Sequence, residues 1–358
     1  MGVFYILLLV PIMMQHIVVK QSHIDYTKRN KYSLTFFFIF FTALVMLRHE
    51  SVGNDTRNYR LFFRHFAEMD WAKVGKDSFE IGFAYFNKLI SVFTKEPQLF
   101  LAITAIITVT MIYQTYKRLC VDTALTIVLF CIMSTFVMLF SGIRQMLAVG
   151  IGFAAYEFTR KNKLFPFILM VFLAMTFHTS AFMLAFMYPV YHAKITKKWL
   201  IAVIPAATVV FVFNKQIFSF LALLIERYTG YDASITQTGA YTMIILFALF
   251  AVIAFVIPNE SRLDAETVGL RNFLLLTFVL QMFAPLHTIA MRMNYYYIIF
   301  IPILLPKIIE YRNERWKQVA IVGRHVMVIF FLIYFFFSKA NNGGNLHVFP
   351  YHFFWEAI

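Results

Sequence analysis

Charge or a titratable ring meets a break in apolar sequence at Asp55, Glu80, Arg144, His178 and Arg292. Arg144 follows Ser141-Gly142-Ile143 and opens an otherwise apolar helix expected to run through Glu157. A cation at that end adds to the unpaired N–H groups and the positive end of the helix macrodipole, an arrangement that suits a phosphate or a carboxylate. Ser141 is placed to cap the helix. Ala148, Gly152 and Ala155 recur on one face below the charge, so a neighbouring helix can approach closely. Snorkelling of Arg144 to a membrane interface is the alternative. Neither Arg144 nor Arg292 has an obvious acidic neighbour in sequence, which favours a shared anionic ligand, and two guanidinium forks match a diphosphate. For Arg292 the alternative is interfacial anchoring beside Tyr295, Tyr296 and Tyr297. His178, flanked by Thr179 and Ser180, is either a general base near neutral pH or a capped turn. Asp55 stands where a first surface helix needs an N-cap, and Glu80 lies with Ala84, Asn87 and Ser91 on the polar, solvated side of a second. Both carboxylates are candidate bases for an acceptor hydroxyl, or ligands of sugar hydroxyls.

The elements that must position these residues are membrane-embedded. The 358 residues are 61% hydrophobic and 14% charged, so the solvent for most of the chain is a bilayer and the fold class is all-α, polytopic. A formal charge of +14 falls in short clusters between apolar runs, which reports orientation and not nucleic-acid binding. Two cysteines, Cys120 and Cys131, give neither a disulfide framework nor a metal site. The first apolar run, 2–19, reads as a retained anchor. No dinucleotide fingerprint, phosphate-binding loop or paired His-x-x-x-His occurs, so no cofactor is expected.

Taken in order, basic clusters after residue 19, at 117–118, at 160–163, at 194–198 and at 307–317 mark the cytoplasmic ends of the spans, and about 12 membrane segments result. They form a single transmembrane domain over 1–358. Residues 48–97 make an outer loop carrying two amphipathic helices, 214–239 a second outer loop, and 338–358 an outer tail. Only about 30 residues separate the third and fourth clusters. Leu164–Phe177 and Ser180–His192 are therefore expected as two short arms of a hairpin or re-entrant pair, with His178 at the tip. Thr123–Phe140 is expected to cross once, and Arg324 to snorkel from the last span. In this register the candidate residues, scattered over more than 230 positions, converge on the outer face.

These residues fall into a pattern: Val52-Gly53-Asn54-Asp55-Thr56 with Tyr59 and Phe62, then Glu80-x-Gly82, Ile143-Arg144-Gln145 with Ala148, Phe177-His178-x-Ser180, and Arg292 with Tyr295–Tyr297. The set resembles the EpsG-like branch of Wzy-type polysaccharide polymerases across nearly the whole chain, with Asn54 departing from the small residue or Thr expected there. The resemblance implies a bundle related to the GT-C glycosyltransferases in the bacterial inner membrane. It implies an enzyme that joins O-antigen or related repeat units carried on undecaprenyl diphosphate, without nucleotide or obligatory metal. His178, Asp55 and Glu80 would be catalytic, Arg144 and Arg292 would hold the diphosphate, and Gln145 and Tyr59 would contact substrate. Membrane lipids and a chain-length regulator are the implied partners, and nucleic acid is not one. A ligase that passes finished polymer to another acceptor performs the same displacement. A repeat-unit transporter would need polar groups near the midplane, where little beyond His16 and Gln281 is found. A membrane acyltransferase using cytosolic donors would carry its His and Arg on the inner side.

Overall fold

The computed structural model describes residues 2–16, 26–76, 79–224, 239–339 and 346–357. They divide into two compact units, one of residues 1–185 with 321–358 and one of residues 186–320. Helix dominates throughout, and the described residues contain isolated bridges in place of a sheet.

In the first unit, α1 (Gly2–His16) and α2 (Tyr26–Met46) precede two helices of the expected outer loop, α3 (Thr56–Glu68) and α4 (Ile81–Phe93). The long α5 (Pro97–Leu119) starts with proline at its first position and with the Glu96 carboxylate accepting from the Gln98 N–H, and it ends on Lys117 and Arg118. Each device matches the unsatisfied groups and the dipole at that end. The expected single crossing from Thr123 is instead two helices, α6 (Thr123–Ile132) and α7 (Ser134–Ser141), bent by 64°. The break sits at Met133, whose extended backbone (ψ 149°) ends the first helix and starts the second. A second break at Gly142 leads into α8 (Ile143–Arg160), and a tight turn through Asn162 returns the chain as α9 (Leu164–Phe177). This is the expected short arm with His178 at its end, followed by a 3-10 stretch, Thr179–Phe186. Ala148 and Ala155 are fully buried, and a Cβ on Gly152 would stand 3.0 Å from Leu184, so the small-residue face does admit a close neighbour.

Arg324, on α17 (Lys317–Tyr334), does not snorkel. Its Nε and Nη2 donate to the two carboxylate oxygens of Asp122 at 2.6 and 3.0 Å. Asp122 also caps α6 through the Leu125 N–H and accepts from Gln15 of α1, while Gln15 Oε1 accepts from the Ala124 N–H. Burial works to raise the Asp122 carboxyl, but the Arg324 guanidinium and these donors hold it below the usual carboxylate range. Removing one partner strands the other at low exposure, at a cost of about 3–5 kcal/mol. Asp122→Ala and Arg324→Ala are each expected to lower the thermal midpoint by several degrees in detergent, and the double variant by less than the sum, read by a melting curve. Additive losses would show that the two residues act independently.

The second unit holds α10 (Met187–His192), α11 (Leu200–Val212), α12 (Asn214–Leu224), α13 (Gly239–Val256), α14 (Ala265–Gln281), α15 (Thr288–Ile298) and α16 (Ile301–Glu310). The expected outer loop over 214–239 is thus helical as far as Leu224, and its residues 225–238 lie outside the described ones. Acids of the 258–271 loop are committed to packing. Glu260 takes both forks of the fully buried Arg271 at 2.6 and 2.9 Å, and Arg271 also lies 4.1 Å over the Phe255 ring. Asp264 caps α14 and accepts from Lys307 and Tyr311. Asn294 donates to the Thr277 carbonyl and to Gln281, an apolar-phase polar contact that joins α15 to α14. Tyr295, Tyr296 and Tyr297 are buried and do not form an interfacial belt.

Two described helical stretches, Pro97–Leu119 and Glu314–Phe337, are long and apolar enough to cross a membrane, and the bent pairs Thr123–Ser141 and Ile201–Phe220 bring the number to four. Shorter apolar helices add to these, among them α1, α9 and α13, but length and composition by themselves do not reach the expected dozen. Large apolar side chains cover the outside, including Phe165, Phe172, Ile201, Ile245 and Phe330. A surface of that kind belongs against lipid. Helix α4 shares this character. Asn87 and Ser91 face inward beside Phe83 and Ile90 while Ile81, Tyr85, Leu89, Val92 and Phe93 are exposed, so the side expected to meet water is apolar.

Candidate functional site

Within the first unit, four segments distant in sequence meet around the N-terminus of α8. The first is the turn before α3. Gly53 has φ +89° and a Cβ there would lie 2.3 Å from the Phe140 carbonyl oxygen, so the turn can seat against the end of α7 only with glycine. The Thr56 hydroxyl is shared between the carbonyls of Val52 and Phe140 and accepts from Arg48 Nε. The chain's tail holds the other side of this turn. His49 and Phe354 N–H groups donate to His352 and Leu47, Gly53 and Asn54 donate to His347 and Leu346, and Tyr351 donates to Leu44. Residues 346–357 of the expected outer tail are therefore part of the scaffold.

Asp55 occupies the N-cap position expected for it, but its side chain makes no capping bond. It accepts from the Ser141 hydroxyl at 3.3 Å, and that same hydroxyl receives the Asp55 N–H. Ser141 accordingly ends α7 and does not cap α8, whose N-cap is Gly142.

Arg144 has an acidic partner that sequence did not reveal. Its Nη1 donates to Glu80 Oε2 at 2.6 Å, with side-chain exposures of 27% and 12%. Glu80 therefore does not lie on a solvated helix face. It immediately precedes α4, and its Oε1 accepts from the N–H and the hydroxyl of Thr179 at 3.2 and 3.1 Å. Burial pushes the Glu80 carboxyl up, but Arg144 and these donors outweigh it and hold the group below the usual carboxylate range. Such a carboxylate is a weak proton acceptor. The Arg144 guanidinium lies 5.4 and 5.8 Å from the Phe79 and Phe83 ring centres, a cation–π platform that fixes its plane. Tyr59 is buried against it, and burial raises the Tyr59 phenol while Arg144 opposes that rise.

The polar network continues beyond Thr179. Gln145 Nε2 donates to Ser180 Oγ at 3.3 Å, and Ser180 Oγ stands 2.7 Å from His178 Nδ1. The Ser180 N–H also points at Nδ1, at 3.2 Å. An atom that accepts a backbone N–H carries no proton, so the Ser180 hydroxyl donates to it too, and the neutral imidazole holds its hydrogen on Nε2. His178 thus presents a donor at Nε2.

The structure brings Asp55, Tyr59, Glu80, Arg144, Gln145 and His178 into one set of linked contacts. Arg292 is an exposed residue of α15 in the other unit. Sequence reasoning missed the bonding of Thr179 and the ring platform of Phe79 and Phe83. It also missed Arg48, which is 1% exposed and whose guanidinium burial lowers to about 10.

A family model, the EpsG family, matches residues 31–353. The chain belongs to the EpsG family. The matched span contains every residue of the linked set and Arg292. No curated protein and no solved structure matches the chain. In this EpsG-family chain the geometry to account for is a partly exposed guanidinium at a helix N-terminus, an imidazole held by Ser180, and the Asp55 carboxylate on Ser141 at the α7–α8 break. Anion binding with adjacent proton transfer is what that arrangement can do.

Proposed function

We propose that this protein is a polysaccharide polymerase that joins lipid-linked oligosaccharide repeat units, with polyprenyl diphosphate as leaving group, on the extracytoplasmic side of the membrane. The observation that carries this reading is Arg144, held at the first turn of α8 by Glu80 and two aromatic rings, in a chain of the EpsG family. Membership of that family supports a polymerase-like role in polysaccharide synthesis.

In the proposed reaction an acceptor sugar hydroxyl attacks the anomeric carbon of the donor unit. Its proton passes to a carboxylate, the new glycosidic C–O bond forms, and the bond from the anomeric carbon to the diphosphate oxygen breaks with its electron pair leaving on that oxygen. Arg144 and the His178 Nε2–H stabilise the charge that develops on the diphosphate. Asp55 is the base, because only its Oδ2 is engaged, by Ser141, whereas both oxygens of Glu80 are committed. Glu80 then serves as a positioning residue. Diphosphate leaves readily without a general acid, so the His178 Nε2–H need act only as a hydrogen-bond donor.

Purified protein incubated with a defined lipid-linked repeat unit is expected to yield a ladder of lipid-linked oligomers and free polyprenyl diphosphate in equal increments. Vesicle-internalised but unlinked units would identify a carrier instead, and transfer only to a non-carrier acceptor would identify a ligase.

A further inference from the structure

Arg48, in the first unit, is buried and makes no ion pair with a carboxylate among the described residues. It sits where two helices end. Its Nη1 donates to the Val45 carbonyl in the last turn of α2, and its Nε donates at 3.3 Å to the Thr56 hydroxyl, which in turn bonds the Phe140 carbonyl near the end of α7. The negative ends of two helix dipoles therefore face the guanidinium. They engage two of its three nitrogens. The third, Nη2, is buried and meets no acceptor among the described residues. Burial lowers Arg48 only to about 10, so the group is charged at neutral pH. A buried charge without a counterion is costly, and a buried donor without an acceptor adds to that cost.

Beside this guanidinium lies a cavity of about 10 Å³, bounded by α5, α7 and α8 and lined by Arg48, Thr104, Thr108, Leu139, Ile143 and Met146 among others. No acidic side chain lines it. The Thr104 hydroxyl spends its hydrogen on the Leu101 carbonyl at 2.9 Å. The Thr108 hydroxyl, one turn further along the same face of α5, can rotate about its C–O bond and donate into the space. The remaining walls are apolar. A fixed positive charge and a hydroxyl donor between apolar walls select an anion over a cation or a neutral ligand. The volume holds a single particle of about water size. Phosphate, carboxylates and diphosphates are too large for it, and a halide is not.

We infer that Arg48 and Thr108 bind one chloride ion in this cavity, as the counterion of the buried guanidinium. Arg48 Nη2 and the Thr108 hydroxyl donate to the ion, while Nη1 and Nε keep their bonds to Val45 and Thr56. The inference does not rest on the polymerase reading, because it follows from charge and volume in the scaffold. Its structural consequence reaches the candidate site, since the guanidinium that the ion neutralises is the one that holds Thr56 in the turn beside Asp55.

The test is the melting midpoint of the full-length protein in detergent, titrated with chloride against gluconate at constant ionic strength, gluconate being too large for the cavity. Chloride and bromide are each expected to raise the midpoint by about 2–4 °C and to saturate. Thr108→Val keeps the branched shape and removes the hydroxyl, and should raise the half-saturating chloride concentration by about tenfold. Arg48→Met removes the charge and should abolish the response to chloride; where that variant does not fold, Thr108→Val carries the test by itself. In crystals grown with bromide, an anomalous peak is expected within hydrogen-bonding reach of Arg48 Nη2. Equal midpoints in chloride and gluconate, a chloride response that Thr108→Val leaves unchanged, or a cavity without bromide, the mark of an ordinary buried water, would overturn the assignment.

Discussion

Arg144→Ala is expected to reduce polymer formation by about 10²–10³-fold, the loss seen when one preorganised donor to a developing anion is removed. Because Glu80 would be left nearly buried without its cation, some loss of stability is expected as well, and activity by itself would not separate the two. The double variant Glu80→Gln/Arg144→Gln removes both charges and should recover most of the melting midpoint while remaining inactive. Arg144→Lys keeps the charge but not the fork, and should fall between wild type and alanine. Recovery of activity in the double variant would mean that Arg144 only holds the fold. The ion pair also predicts a pH dependence. Glu80 is held below the usual carboxylate range, so its contribution to stability is complete above that range and is lost as pH falls through the lowered folded value. The stability difference between wild type and Glu80→Gln should accordingly be flat near neutrality and shrink under strong acid. A difference that instead grew on acidification would show that Glu80 gains nothing from Arg144.

Asp55→Asn is the second large expectation, a loss of about 10²–10⁴-fold, the range for a positioned general base. Asparagine can still accept from the Ser141 hydroxyl, so the turn should stay in place and the melting midpoint should hold. The informative comparison is with Ser141→Ala, which leaves the carboxylate in place and should lose only part of the rate. A ladder of normal length from Asp55→Asn at normal protein levels would transfer the role of base to another residue.

How much of this was legible in sequence differs from element to element. The helix from Ile143, the short arm ending at His178 and the two helices between 48 and 97 follow from local rules, because apolar periodicity, charge clusters and helix-ending residues act over a few neighbours. The break at Met133 was not legible, since the run around it is apolar apart from the hydroxyls of Ser134 and Thr135, which an uninterrupted helix also accommodates. Helix α4 was placed and its Phe83 and Ile90 do pack inward, but the side with Ala84, Asn87 and Ser91, expected to be solvated, is buried as well and the exposed side is apolar. An apolar stripe reads the same whether it faces a protein core or lipid, and only packing against α3 and α9 decides which side is inside.

The candidate site shows the same division. Residue type and position relative to the apolar runs were enough to single out Asp55, Glu80, Arg144 and His178, because charge is expensive in a membrane chain and is kept where it is used. Sequence also determined membership of the EpsG family. What tertiary structure decided was pairing: that Arg144 is bound by Glu80, 64 positions away, that Glu80 in turn holds Thr179, and that His178 carries its proton on Nε2. Such contacts depend on distances set by the whole fold, and hydrogen bonding is too short in range and too directional to be inferred from residues that local sequence never brings together.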